Sequence, residues 1–196
     1  MVTKPSKSEE TYAKILEAAT VQFLLNGYAQ TTTREIAKAL KITQPAIYHH
    51  FGDKETLFVE VIKRVGNQVM TDMMAILDQT YPQPVDQLVA LTEVIITRHP
   101  RDVFSLIHGS FDTLSPQHQQ ELGMVFGRNY VMPIAQFFSQ EVVPLREGID
   151  SKMASSFFIT SLSPLFSDFH ALNGTTTMHE RIQQLLDLIL YGLLNR

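Results

Sequence analysis

The side chains best placed to do chemistry in this sequence stand together in one short stretch, Gln44-Pro45-Ala46-Ile47-Tyr48-His49-His50. At 3.6 residues per turn, Ile47 and Phe51 fall on one side as apolar anchors, while Gln44, His49 and His50 point outward. A helix used only for packing has no need of that polar set, whereas one that hydrogen-bonds to base edges does. The other five histidines, His99, His108, His118, His170 and His179, are scattered. No two of them have the spacing that puts two imidazoles on one helix face, so no metal site is expected. His118 and Glu121 share a face, for which a solvated helix surface is the better account. Cysteine is absent, which removes disulfides, thiolate metal sites and thiol redox switches. No phosphate-cradling glycine loop, nucleophile elbow, metalloprotease pair or carboxylate dyad occurs. The sequence reads as a non-enzyme without a cofactor.

The elements that must position these residues are helices. Apolar side chains recur at three- and four-residue steps almost throughout, and sustained two-residue alternation is missing, so the class is all-α with about nine helices. Tyr12, Ile15, Leu16, Ala19 and Phe23 line one face of a first helix, which Asn26-Gly27 is expected to stop. Thr32 and Glu35 have capping-box spacing for a second helix running through Ile36, Ala37 and Leu40. After Lys41 and Ile42, Thr43 is the N-cap of a third, with Pro45 in its first turn, where a missing N–H costs nothing. Gly52-Asp53 ends that helix and begins a long fourth one through Leu57, Phe58, Val61, Ile62, Val65, Val69, Met73 and Leu77. Beyond Tyr81-Pro82-Gln83-Pro84, helices are predicted at roughly 86–98, 101–113, 117–141, 150–172 and 178–194, the last opened by a Thr177–Glu180 capping box.

Two short helices separated by three residues, the second opening with small and polar side chains, form the pattern of a helix-turn-helix. An ordinary helical hairpin has the same spacing, and the outward polar face of the third helix decides between them. Phe23, Gly27-Tyr28, Thr31-Thr32, Ile36-Ala37, Tyr48-His49-His50-Phe51 and Asp53-Lys54 to Leu57 closely resemble the amino-terminal signature of the tetracycline-repressor (TetR) family. The resemblance is strong over about residues 10 to 60 and otherwise extends only to helix number and rough length.

That resemblance implies roles residue by residue. Arg34, Gln44, Pro45, Ala46 and His49 take base-reading positions: a guanidinium suits guanine N7 and O6, an amide suits adenine, and Pro45 and Ala46 suit a thymine methyl. Thr32, Thr33, Thr43, Tyr48, His50 and Lys54 take phosphate-contacting positions. The family usually has glycine in the turn where this chain has Lys41. A non-glycine residue in a left-handed conformation there costs about 1 kcal/mol or more, offset by a phosphate contact.

Charge distribution agrees with a DNA-binding head. The net charge is −4, yet residues 1–53 carry six basic against five acidic side chains, and 54–196 carry ten against fifteen. The acidity thus belongs to the carboxyl-terminal part, leaving a mildly basic module able to approach a polyanion. The predicted division is a helix-turn-helix DNA-binding domain at 1–53 and a ligand-binding and dimerisation domain at 54–196.

In the second part, an aromatic and methionine-rich set reads first as core and also borders any pocket for a small apolar or amphipathic ligand. Phe104, His108, Phe111, Met124, Tyr130, Phe137 and His170 are the candidates. Surplus apolar surface on the last two helices predicts a homodimer through Phe158, Leu162, Phe166, Leu186, Ile189, Leu190 and Leu193. Met1 to Glu10 is polar, and the most apolar stretch, Met153 to Leu172, contains Pro164, Asp168 and His170. Neither a secretory leader nor a membrane span is expected, and the chain is placed in the cytoplasm.

The reading is a regulator of transcription, most simply a repressor released from a palindromic operator on double-stranded DNA by a small ligand. The alternatives are an activator, a regulator controlled by a protein partner, and a helical scaffold that never touches DNA.

Overall fold

Ser6 starts the first helix: its hydroxyl accepts from the Glu9 N–H (3.2 Å), and the Glu9 carboxylate accepts from the Ser6 N–H (2.7 Å). This reciprocal cap satisfies two of the donors that any helix start leaves unpaired. The computed structural model describes residues 5–100, 102, 109–166 and 177–191. Helix α1 (Lys7–Gln30) buries the predicted stripe of Ile15, Leu16, Ala19 and Phe23. Its expected stop is a kink. Gly27, at φ 81° and ψ 172°, leaves helical geometry, and a further turn carries the helix to Gln30.

Helix α2 (Thr33–Leu40) opens with the Thr32–Glu35 box and buries Ile36 and Ala37. Helix α3 (Gln44–Phe51) buries Ile47 and Phe51. Helix α4 (Lys54–Leu77) follows directly, its first turn capped where Asp53 Oδ1 accepts from the Thr56 N–H at 2.7 Å. Leu57, Phe58, Val61 and Ile62 of α4 are buried. Phe58 meets Phe23 and Tyr28, each at 5.1 Å between ring centroids, and Tyr12 stacks on Phe51 at 4.6 Å. Each fully buried side chain of this kind contributes about 1.5–3 kcal/mol, so the three short helices are held by a shared core rather than by their own propensity.

Further along lie α5 (Pro84–Arg98), α6 (Pro116–Phe126), a π-helical turn at Gly127–Val131, α7 (Met132–Phe138), α8 (Ser151–Thr160), a 3-10 turn at Ser163–Phe166 and α9 (Met178–Tyr191). Every regular element among the described residues is helical. The helix predicted at 117–141 is therefore interrupted, and Pro133 supplies the reason. In a continuous α-helix its ring would press on the carbonyl of Asn129, and the wider π turn ending at Val131 relieves that clash. Ser155 Oγ donates to the Val131 carbonyl at 2.7 Å. The helix predicted at 150–172 likewise ends at Thr160, because Pro164 cannot continue it; residues 167–176 lie outside the described part. A Thr177–Glu180 box caps α9 as expected.

The backbone groups into two compact units, Met1–Val65 with Leu106–Met124, and Gly66–Ser105 with Val125–Arg196. In the second, α7 packs on α8 and α9 on α5. Its buried side chains include Val69, Met73, Leu88, Leu91, Ile95, Tyr130, Ile134, Phe137, Phe158, Ile159, Leu162, Ile182 and Leu186. No helix among the described residues is long and apolar enough to cross a membrane.

Candidate nucleic-acid interface

The turn between α2 and α3 fixes how the third helix is presented. Lys41 is left-handed, at φ 55° and ψ 39°, the only non-glycine residue with positive φ among those described. Its N–H donates to the Ala37 and Lys38 carbonyls, and the Ile42 N–H donates to Ala37 at 3.0 Å. This left-handed cap closes the helix and redirects the chain within three residues. Thr43 then stands at the N-cap of α3 without making a side-chain cap hydrogen bond.

With Ile47 and Phe51 buried beneath it, α3 turns Pro45, Tyr48 and His49 outward; Gln44, Ala46 and His50 flank them, half-buried. Eight residues at 1.5 Å rise span about 12 Å, a length that a DNA major groove admits. Thr32, Arg34 and Thr43 are exposed nearby and Lys54 is half-buried. The Lys54 ammonium lies 4.3 Å from the centre of the Tyr28 ring. Partial burial lowers its pKa, with Glu35 and Tyr48 opposing the shift.

Thr33 is the departure from the predicted set. It is buried, and its hydroxyl accepts from Gln44 Nε2 at 2.8 Å and shares a hydrogen bond with the Tyr48 hydroxyl at 3.1 Å. Gln44 Nε2 also donates to the Tyr48 hydroxyl at 3.1 Å. The structure thus joins one residue assigned to bases and two assigned to phosphates in a single triangle, with Thr33 as its support. The Thr32 hydroxyl is likewise engaged, donating to Glu35 Oε2 at 2.7 Å. That bond and the Thr32 N–H hold the Glu35 carboxyl below the usual range.

Sequence reasoning passed over a clasp behind this face. Glu55 Oε2 accepts from the Ser115 N–H at 2.9 Å and lies 2.8 Å from His118 Nδ1, which is also 3.0 Å from Ser115 Oγ. The Ser115 N–H, then His118, keep the Glu55 carboxyl low. Glu121, one turn away, pairs with Lys63. The polar face expected to be merely solvated is therefore partnered, by residues some sixty positions away that no local spacing could reveal. Among the described residues no group of three or more histidines and carboxylates is arranged to hold a metal.

The remaining candidates separate. Phe104, His108 and His170 of the predicted pocket lie outside the described residues. Phe111 is half-buried and Met124 is exposed, both in the first unit. Tyr130 and Phe137 are buried in the second. Of the predicted dimer residues, Phe158, Leu162 and Leu186 are corrected: each is fully buried in the chain's own core. The exposed apolar positions are their neighbours, Met153 and Phe157 (60 % exposed) on α8 and Leu188 and Tyr191 (65 %) on α9. Phe166, Ile189 and Leu190 are half-buried, and Leu193 lies outside the described residues. An apolar stripe wider than one seam needs conceals which half faces inward, and the backbone decides it.

Residues 15–61 match the model of bacterial regulatory proteins of the tetR family. The chain is 38 % identical over 65 residues to the HTH-type transcriptional regulator HbdR of Aromatoleum sp. (strain CIB), covering 33 % of this chain and 28 % of HbdR. It is 24 % identical over 195 residues to the uncharacterized HTH-type transcriptional regulator YdgC of Bacillus subtilis (strain 168), covering 96 % and 95 %. Of the curated relatives matched at higher identity, such as HbdR and a Mycobacterium bovis regulator, the chain spans about a third of the length. A crystal structure of FadR from Bacillus subtilis in complex with stearoyl-CoA superposes with a TM-score of 0.66 at 18 % identity, over 93 % of this chain and 99 % of that one.

Proposed function

We propose that the chain, whose residues 15–61 match the tetR-family model, is a TetR-type regulator that represses transcription by binding a palindromic operator and is released by a small-molecule ligand. The observation that carries this reading is the outward face of α3, Pro45, Tyr48 and His49 flanked by Gln44, with Ile47 and Phe51 locked beneath. Residues 1–53 supply the reading head, and 54–196 the ligand-binding and dimerisation part. Arg34, Gln44, Pro45, Ala46 and His49 read bases; Thr32, Thr43, Tyr48, His50 and Lys54 hold phosphates. Thr33 acts at one remove, by fixing Gln44 and Tyr48.

The homodimer forms through Met153, Phe157, Leu188 and Tyr191, whose exposed apolar surface lies on the two carboxyl-terminal helices α8 and α9. Twofold pairing places the two α3 helices on half-sites about 34–36 Å apart, or a multiple of that. The protein works in the cytoplasm, where it meets both DNA and metabolites. The ligand acts through unequal affinity for the DNA-competent and released arrangements, and a coupling of about 1–3 kcal/mol changes operator affinity about 5- to 150-fold.

Selection from a random duplex library by the purified protein, followed by competition binding against scrambled duplex, tests the reading. A palindromic consensus held well above scrambled DNA is the expected result. Equal binding to both, or a monomer at micromolar concentration in sedimentation, overturns it. Phe157→Glu is expected to break the dimer and leave the monomer folded.

A further inference from the structure

The second unit holds a buried polar pair that DNA reading does not use. His99, the C-cap residue of α5, is 1 % exposed. Its Nε2 lies 2.9 Å from the Tyr130 hydroxyl, and its Nδ1 is buried with no hydrogen-bond partner among the described residues. A buried polar atom without a partner is rare enough in folded proteins to need a cause, and an absent ligand is one. Tyr130 sits within the π turn that Pro133 imposes, a distortion frequent at functional sites, and the Phe126 ring stacks on it at 5.7 Å between centroids.

The tautomer follows from the chemistry. A phenol is the better proton donor and an imidazole nitrogen the better acceptor, so Tyr130 O–H donates to Nε2 and the ring proton resides on Nδ1. Burial lowers the His99 pKa to about 4, against a smaller opposing influence from Asp102, so the ring is neutral near pH 7. The orphan is therefore an N–H donor on an uncharged ring. Among the described residues, the buried polar side chains of the second unit besides His99 are Gln87, Thr92, Asn129 and Ser155, with no lysine or arginine among them. Among these described side chains a buried carboxylate would find no counter-charge.

We propose that His99, oriented by Tyr130, is the polar anchor of the effector site, and that the effector is a neutral, mostly apolar molecule presenting a carbonyl oxygen to Nδ1–H. This rests on the ligand-controlled regulator reading and specifies its ligand class. Acetophenone and 2-heptanone serve as neutral carbonyl probes, with ethylbenzene and benzoate as apolar and anionic controls, all added to the full-length protein. The readouts are the His99 ring nitrogens by ¹⁵N NMR and the dissociation constants from titration. Both ketones are expected to shift Nδ1 saturably, and acetophenone to bind at least tenfold more tightly than ethylbenzene or benzoate. His99→Phe should abolish that preference. Tyr130→Phe, which keeps the imidazole, should reduce it several-fold and mix the two tautomers.

Ethylbenzene or benzoate binding as well as acetophenone overturns the proposal, as does a preference that survives His99→Phe or an Nδ1 signal that no ketone moves. Operator binding measured on the same samples separates the two readings. Selective DNA binding without ketone preference defeats the anchor alone, whereas ketone preference without selective DNA binding supports the anchor and defeats the regulator.

Discussion

Replacing Lys41 with glycine should make the protein more stable and its DNA binding weaker. At φ 55° and ψ 39° the Lys41 Cβ crowds its own carbonyl, a conformation that costs an L-residue about 1–2 kcal/mol. Glycine removes that cost but loses about 0.5–1 kcal/mol to its greater freedom in the unfolded chain. The net gain is about 0.5–1 kcal/mol, which for a chain of this size raises the melting temperature by about 2 °C. Lys41→Ala is the necessary partner, since alanine keeps the strained Cβ and removes only the ammonium. Thermal and urea unfolding of the two variants therefore isolates the backbone contribution. On operator DNA both should lose one phosphate contact, flattening the slope of log affinity against log salt by about 0.9. Glycine and alanine variants that melt together would refute the strain argument, and a wild-type salt slope in both would refute the phosphate contact.

Gln44→Ala or Arg34→Ala should cost about 1–3 kcal/mol of operator affinity and relax preference at particular base pairs; equal losses on every sequence count against a reading role. Lys54→Ala should weaken binding to all duplexes and flatten the salt slope by about 0.9. It should also cost about 0.5–1 kcal/mol of stability, because the ammonium lies over Tyr28; an unchanged slope removes Lys54 from the phosphate set. Gly66→Ala would normally gain about 1 kcal/mol in a helix interior. Here the new Cβ would stand 2.8 Å from Asn129 Nδ2 and 3.3 Å from Val125 Cγ1, so a loss of about 1–3 kcal/mol is expected, and a more stable variant would contradict the close approach. His99 binds its proton more weakly folded, with a pKa of about 4 against 6.5, so its stabilising contribution is complete above pH 6.5. It should be lost as pH falls toward 4, about 3 kcal/mol in all. Urea unfolding of wild type and His99→Phe across that range should diverge by this amount, and parallel curves would contradict it.

What the sequence disclosed was what local spacing encodes. Thr32 with Glu35 and Thr177 with Glu180 are three residues apart, so their reciprocal hydrogen bonds follow from the helix itself. Ile47 and Phe51 likewise had to share a face. Residues joined by tertiary packing were out of reach: nothing near His118 points to Glu55, and nothing near His99 points to Tyr130. Proline effects were legible only in principle. Pro133 and Pro164 both break helical hydrogen bonding, yet one is absorbed by a π turn and the other ends a helix. The difference lies in the neighbours, since Ser155 meets the loosened Val131 carbonyl in the first case. Phe157 and Phe158 show the same limit. Both suit an interface by type, and only the direction of one helix settles that Phe158 is core and Phe157 surface.

With Gln44 assigned to bases and Tyr48 to phosphates as proposed, the triangle they form with Thr33 puts both contacts in one hydrogen-bonded cluster. Both hydrogen bonds of the Gln44 amide nitrogen end on those two hydroxyls, whereas bidentate pairing with adenine needs one N–H and the carbonyl oxygen directed at the base. Reading therefore requires one internal bond to be exchanged for one to DNA. Its release would also open a lone pair of the Tyr48 hydroxyl to a bridging water, whereas a phosphate oxygen can take only the Tyr48 O–H. A phosphate that accepts the Tyr48 O–H does not compete for the lone pair on which Gln44 donates, so on a duplex that offers no matching base the amide stays satisfied internally. Because a hydrogen bond exchanged for another contributes only about 1 kcal/mol net, the exchange adds little affinity. Its effect is on discrimination, since a base contact is available only in the register that the backbone contact has already fixed.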